Sequence, residues 1–417
     1  MKGTAAVIGC GIIGASIALE LRRRGWSVTV VDRESGPGLG STRKSSSVIR
    51  CTYTNEEGIK LALEGLRVWQ AWAKYLGSER PRAWFRPVGV LFIYEEKEGP
   101  SRAGALGVKA EMSPLEMRRR TKMMKQLGVR IELLKTRDLS SRFPNLSFKN
   151  EAAIYEVDSG YVVYPKEAVE DLVDAGKREG VAYHFGRDVV GLAPGEGRQR
   201  HRLMLETKDA RPEELLVDIV VNASGPHSAG LNLAFQTPLG LTTTPLRQYI
   251  VQGRYDGHRI PTMADLVHGF YVRPDPEVFK IGAVLPGDHR EFERDPSGAG
   301  TPALLSSHLE ELIGRARKRI KGFQLKNASC ELAYYDWTVT DSYPIIDRTD
   351  VDGYYVALGT SGSWFKAAPV IGYAAAELIE RVEKGADHDG KPLKVKLPRT
   401  KHVLDLAAFS RRRRPLG

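Results

Sequence analysis

The residues near the start of the chain that could do chemistry are three glycines and an acid. Gly9, Gly11 and Gly14 follow the apolar run Thr4-Ala5-Ala6-Val7-Ile8. Asp32 closes a second apolar run, Trp26-Ser27-Val28-Thr29-Val30-Val31, eighteen residues beyond the last glycine. A G-x-G-x-x-G turn between strand and helix, with an acid ending the next strand, is the arrangement that holds a dinucleotide. Gly9 permits the tight turn, Gly11 lets a pyrophosphate touch the backbone, and Gly14 lets the helix pack closely on the strand. The helix N-terminus offers unpaired N–H groups to phosphate, and Asp32 can accept from ribose hydroxyls. Two further glycine turns end strand-like runs, Ser224-Gly225-Pro226 in the middle and Gly359-Thr360-Ser361-Gly362 near the end.

Positioning these groups requires a β-α-β unit at the N-terminus, its helix running from Ala15 to Arg24 and stopping at Gly25. Further helices are expected over Leu61 to Leu76, Val169 to Glu179, Leu304 to Ile320 and Ala367 to Val382. Strands are expected over Val88 to Tyr94, Val181 to Phe185, Asp188 to Leu192 and Tyr354 to Leu358, with Leu216 to Ala223 as one buried strand. Strand-like runs dominate between Leu239 and Val284. The charged, Met-rich stretch Lys97 to Lys125 reads as exposed, with an amphipathic helix after Pro114, and lies away from the chemistry. No internal repeat is evident.

The 417 residues carry a net charge of +11, with 42% hydrophobic and 27% charged residues, a composition that excludes general disorder. The 42 glycines show no G-X-Y period, which excludes a collagen-like chain. Cys10, Cys51 and Cys330 have no CxxC spacing, so neither a disulfide framework nor a structural zinc site is expected, and no metal. Neither a secretory signal nor a transmembrane run is read, which makes the cytoplasm the default location. The tail after Pro398, with Arg411 to Arg414, is expected to be poorly ordered. The positive excess admits a nucleic-acid partner, but there is no aromatic single-strand platform or RNA module to support one.

Taken together, several blocks resemble the flavoprotein family typified by D-amino-acid oxidase, glycine oxidase and monomeric sarcosine oxidase. They are the N-terminal glycine turn, the loop from Gly40 to Arg50, Val221-Asn222-Ala223-Ser224-Gly225-Pro226-His227-Ser228, Pro344-Ile345-Ile346-Asp347, and Gly359 to Lys366. The resemblance extends to about Pro398 and is closest to the sarcosine-oxidase branch. It implies an α/β fold in which a Rossmann-like FAD-binding domain of the glutathione-reductase type is intertwined with a mixed antiparallel-sheet substrate domain. The expected division is 1–85, 155–230 and 335–397 for FAD, 86–154 and 231–334 for substrate, and a basic tail over 398–417. The implied FAD contacts are Gly9, Gly11, Ile12, Ile13 and Gly14 in the first turn, and Asp32 and Arg33 after the second strand. Ser41, Thr42, Arg43, Lys44 and Ser45 lie along the flavin loop. Val189, Ser224 and Gly225 belong to the middle of the chain, and Gly359, Gly362, Ser363, Trp364, Phe365 and Lys366 close over the ring.

Residue by residue, the resemblance implies that Arg50 and Lys366 bind a substrate carboxylate. It places Lys280 near the flavin, where a cation assists reaction with oxygen, and makes Tyr271 an active-site tyrosine. There are departures. Tyr334 occupies the position of the branch's flavin-linking cysteine, Cys330 comes four residues too early, and Thr42 and Arg43 fill the stretch of the related histidine link. FAD is therefore expected to be non-covalent. Val284 replaces a histidine that follows the lysine by four residues. Asp336-Trp337-Thr338-Val339 replaces an R-P-x-T motif, and an acid at that place cannot bind a carboxylate. Asp336 then either meets a cationic substrate group or forms a structural ion pair with Arg50 or Lys366, the pair being preferred.

The implied activity is oxidation of the C–N bond of an amino acid, with a secondary amine (N-methyl, N-alkyl or cyclic), to an imine, oxygen being reduced to H2O2. The near alternative is a dehydrogenase that passes electrons to a quinone or electron carrier. More distant ones are a tRNA-modifying flavoenzyme and a non-catalytic FAD-binding assembly factor. The oligomeric state is left open.

Overall fold

A computed structural model describes residues 2–96, 113–197, 199–207, 209, 211–284, 296, 298 and 300–415. The N-terminal unit forms as its sequence requires. Thr4–Ile8 is a buried strand, Ile12–Arg23 a helix, and Ser27–Asp32 a parallel strand beside the first. Gly25, at φ +88°, makes the turn between helix and second strand, a conformation that favours glycine. These strands sit in a six-stranded sheet ordered Ile345–Arg348, Tyr354–Leu358, Ile219–Asn222, Thr4–Ile8, Ser27–Asp32, Ala182–Phe185. All neighbours are parallel except the first pair. The helix Ile12–Arg23 is buried nearly all round, because Ala368–Val382 and Pro165–Glu179 pack against it. Gly372 permits the closest approach: a Cβ there would meet Ser16 backbone at 2.7 Å.

An eight-stranded sheet stands beside it, ordered Lys326–Thr338, Thr243–Arg254, Phe279–Ala283, Phe270–Arg273, Thr262–Asp265, Val90–Glu95, Glu151–Glu156, Ile131–Leu134. Only Thr262–Asp265 and Val90–Glu95 run parallel; the other pairs are antiparallel. One of its faces packs under the helix Pro302–Arg319 through Leu312 and Ala316. The architecture is thus a Rossmann-like sheet with a mixed, largely antiparallel one.

Several expectations need correction. The helix expected over Leu61 to Leu76 is two helices, Glu56–Trp69 and Trp72–Leu76. Asn55 caps the first by accepting from the Gly58 N–H, which moves its start upstream. The single strand over Leu216 to Ala223 is the end of Pro212–Val217 and then Ile219–Asn222, in different sheets. Asp218 marks the crossing, since its carboxylate holds the Thr4 N–H at 2.7 Å.

The charged stretch is not simply exposed. Lys97 to Met112 lies outside the described residues, but the helix Pro114–Gln126 buries Met117, Arg120, Thr121 and Met124. Nor is the described tail poorly ordered. Arg411 and Arg413 are buried, and carboxylates hold them in place: Asp347, Asp350 and Asp389 around Arg411, and Asp341 against Arg413.

Candidate active site

The three glycines of the first turn serve different ends. Gly9 has φ +100°, and a Cβ there would meet the Ala223 carbonyl oxygen at 2.5 Å. A Cβ on Gly14 would lie 1.9 Å from the Gly9 oxygen, so only glycine lets the helix start so close to the strand. A Cβ on Gly11 would meet nothing nearer than Thr42 Oγ1 at 3.4 Å. Gly11 therefore satisfies no steric demand of the fold; its bare Cα faces a cavity.

That cavity encloses about 1450 Å³ and runs from the glycine turn past Asp32, Val189 and Gly225 to the loop Thr360 to Lys366. Asp32 accepts from the backbone N–H groups of Cys10 and of Glu34, the latter at 2.8 Å. Burial raises its pKa and these N–H groups oppose the rise. Arg33 Nη1 lies 3.3 Å from His227 Nδ1. On the loop, Thr42 Oγ1 accepts from the Ile12 N–H at 3.2 Å, while Ser41 Oγ donates to the Tyr334 carbonyl and Lys44 Nζ to that of Leu332. Ser224 is set by Asn222, whose Oδ1 accepts from both its N–H and its hydroxyl.

The opposite wall is the loop Gly359 to Lys366, which turns through φ +70° at Gly359, +49° at Ser361 and +64° at Gly362. It is laced to the strand Lys326–Thr338: the Ser361 N–H donates to the Asp336 carbonyl at 2.6 Å, and Ser361 Oγ accepts from the Thr338 N–H. Asp336 Oδ1 accepts from the Thr360 hydroxyl at 2.6 Å, and its Oδ2 is buried with no hydrogen-bond partner among the described residues. Burial raises its pKa. The expected ion pair with Arg50 or Lys366 does not form. Thr360 takes the near oxygen, and a carboxyl at this depth is held towards its neutral form.

Arg50 and Lys366 gather around Tyr53. The Arg50 guanidinium carbon lies 4.7 Å from the Tyr53 ring centroid and 5.6 Å from that of Phe92, and Nη1 donates to the Thr52 carbonyl. Lys366 Nζ lies 3.0 Å from Tyr53 Oη and also donates to the Ser363 carbonyl. Tyr53 stacks on Trp364 at 4.2 Å. Burial and the Arg50 charge lower the Lys366 pKa well below its ordinary value. The nearby acid, Glu156, accepts from the Cys51 and Thr52 N–H groups and from the hydroxyls of Thr52 and Ser159. Among the described residues neither cation has a carboxylate at ion-pair distance.

All but three of the expected site residues line the cavity. Gly14 and Gly359 stand behind its wall, and so does Lys280. Lys280 Nζ donates to the carbonyls of Lys44 and Ser45 at 3.1 and 3.2 Å, placing its charge behind the loop expected to follow the flavin. Tyr271 lines the wall and accepts from Ser46 Oγ at 3.1 Å. Residues not anticipated from sequence also line it: Arg120, Tyr53 and Tyr343. Arg120 had a signal, being one of four inward positions in the i, i+3, i+4, i+7 spacing of its helix.

Residues 4–378 match the sequence profile of DAO, described as FAD dependent oxidoreductase. The chain belongs to this family. Peroxisomal sarcosine oxidase of Mus musculus is 24% identical over 399 residues, covering 92% of this chain and 93% of the relative. N-methyl-L-tryptophan oxidase of Escherichia coli is 24% identical over 409 residues, covering 95% and 99%. L-proline dehydrogenase from P. horikoshii shares the fold, with a TM-score of 0.76, 22% identity and coverage of 98% and 97%. The protein is an FAD-dependent oxidoreductase, and the cavity fits its cofactor: the open Gly11, the helix N-terminus and Asp32 suit the adenosine diphosphate half. No helix among the described residues is long and apolar enough to cross a membrane.

Proposed function

We propose that this FAD-dependent oxidoreductase oxidises the C–N bond of an amino acid whose nitrogen is secondary, giving an imine that water hydrolyses. The carrying observation is the pair Arg50 and Lys366, two buried or half-buried cations in the cofactor cavity with no carboxylate partner among the described residues. A guanidinium held over an aromatic ring presents a planar edge for a bidentate carboxylate, and a lysine beside it adds a point charge. The names of the three relatives support the choice of amine: sarcosine, an N-methyl amino acid and proline all carry a carboxylate beside a secondary nitrogen.

Bound FAD supplies the two-electron acceptor for the C–H bond. Gly9, Gly11, Ile12, Ile13 and Asp32 would hold its nucleotide half with Val189 and Gly225, and Ser45, Gly362, Ser363 and Phe365 would face its ring. Arg50 and Lys366 orient the carboxylate, and Tyr271 with Tyr53 walls the site against water. Lys366, held towards its neutral form by burial and the Arg50 charge, can accept at Nζ the proton that the substrate ammonium must lose, which frees the amine and leaves an ammonium beside the carboxylate. Lys280 places a cation behind the Lys44-Ser45 backbone, which favours oxygen as acceptor and H2O2 as second product.

Attachment of FAD is non-covalent in this reading. Tyr334 lines the cavity at the linking position, whereas Cys330 does not line it. Acid precipitation should therefore release the yellow cofactor into the supernatant. The activity is tested by anaerobic mixing of the holoenzyme with N-methyl, cyclic and primary amino acids. Bleaching of the flavin by secondary amino acids, lost on removal of their carboxylate, is the expected result. Flavin that no amino acid bleaches would leave a binding protein without this catalysis.

A further inference from the structure

The helix Pro114–Gln126 turns Met117, Arg120, Thr121 and Met124 inward, the stripe that an amphipathic helix normally fills with apolar groups. Thr121 satisfies its hydroxyl on the Met117 carbonyl at 2.7 Å, and Met124 sulfur lies 3.8 Å from the Thr52 hydroxyl. Arg120 is the exception. It is only 5% exposed and lines the same cavity as Arg50 and Lys366. Its Nε donates to Glu116 Oε1 at 3.2 Å, but its Nη2 is buried with no hydrogen-bond partner among the described residues. Glu116 also faces Arg119 at 3.4 Å, so one carboxylate serves two guanidinium groups and positive charge is left over. A buried charged donor without an acceptor is costly, and a ligand that brings an acceptor removes the cost.

Arg120 belongs to a second locus in the cavity. Arg50 and Lys366 gather at Tyr53, whereas the charge of Arg120 acts on Tyr343, whose ring centroid is 6.0 Å from that of Tyr53. We propose that Arg120 is a second anion-binding residue of the cavity and that the substrate is an amino dicarboxylic acid. One carboxylate is held by Arg50 and Lys366, and the other, on the side chain or the nitrogen substituent, is received at Arg120 Nη2. A carboxylate suits the locus better than a phosphate dianion, because one guanidinium partly neutralised by Glu116 matches a single negative charge. The inference rests on the amino-acid reading above and names its substrate class.

The test uses the holoenzyme and thioether acids, in which sulfur replaces the amine and oxidation is blocked. (Methylthio)acetate, (carboxymethylthio)acetate, 3-(carboxymethylthio)propanoate and (carbamoylmethylthio)acetate, whose second arm is an uncharged amide, are titrated against the flavin absorbance. At least one dicarboxylate should bind about tenfold or more tighter than (methylthio)acetate, with the amide close to the monoacid. In R120Q and R120M that ratio should fall towards one. If neither variant folds, the wild-type ratio decides alone. Dicarboxylates no tighter than a monoacid that does bind would overturn the Arg120 locus and leave the carboxylate pocket standing. A preference that persists in R120Q would overturn it too. Absence of binding by every acid would overturn the amino-acid reading and this inference with it.

Discussion

Lys280 is the residue whose role can be separated most cleanly by kinetics. Burial and the neighbouring Arg273 charge push its pKa down to about 8. Its ammonium is therefore charged below about pH 8 and neutral above, and any help it gives to oxygen reduction follows the charged form. K280M should slow reoxidation of the reduced enzyme in air-saturated buffer by on the order of a hundredfold, with flavin reduction by substrate much less affected. In the wild type the same reoxidation rate should decline as pH rises through about 8. A flat profile shared by both proteins would make a quinone or electron carrier the acceptor. Asp336 titrates in the opposite sense. Its pKa is raised by burial, so the folded protein keeps a proton that the unfolded chain loses above about pH 4. That difference lowers stability as pH rises towards neutrality, and D336N should melt higher than wild type at pH 7 with no such gain at pH 3. Equal melting at both pH values would mean that Asp336 is ionised in the folded protein. Arg50 and Lys366 were singled out through the family resemblance, each adjoining a loop that it implies to face the flavin, and both line the cavity. Tyr343 was not, and the helical spacing that turns Arg120 inward says nothing of what it faces, because what makes both site residues is packing against segments far away in sequence.

At the scale of elements, the first turn separates a fold requirement from a ligand requirement within six residues. G14A would drive a methyl into the Gly9 carbonyl, 1.9 Å from the added carbon, and should abolish folding or leave only insoluble protein. G11A has no such obstacle, and its apoprotein should melt within a degree or two of wild type while FAD binds at least tenfold more weakly by fluorescence titration. Equal FAD affinity in G11A would show that no phosphate approaches this backbone. These roles were legible because turn chemistry is local: strand, three glycines, helix, strand and acid lie within one short stretch. The division at Asp218 was not, because Leu216 to Ala223 reads as one apolar run although it holds the end of Pro212–Val217 and then Ile219–Asn222. Their assignment to different sheets depends on partners at Leu203 and Ala6 that no window around them contains. The loop Gly359 to Lys366 lies between these cases. Its glycines announce a turn, but its anchoring to Asp336 and Thr338 is a tertiary fact.

The whole molecule shows what becomes of the net charge of +11. The terminal arginines, expected as a loose basic tail, are drawn back over the end of the six-stranded sheet. Arg411 meets Asp389 at 2.8 Å and Asp350 at 2.7 Å, while Ser410 Oγ and the Arg411 N–H both donate to Asp347. Arg413 reaches Asp341 at 2.8 Å and the carbonyls of Tyr343 and Pro344. Asp341 and Tyr343 line the cavity, and Tyr343 Oη bonds Thr54 at 2.8 Å. The described tail thus braces the wall that carries Tyr343, though none of its residues through 415 lines the cavity. Removing one partner of a buried ion pair costs roughly 3 kcal/mol or more, because the other charge stays behind. R413Q should therefore lower the melting temperature of the holoenzyme, and because the wall loosens, its KM should rise more than its kcat falls. D341N should give the same split, and the double variant R413Q/D341N should lose less than the sum of the two. Strict additivity would mean that the pair does not act as one unit, and an unchanged KM would confine the tail to stability.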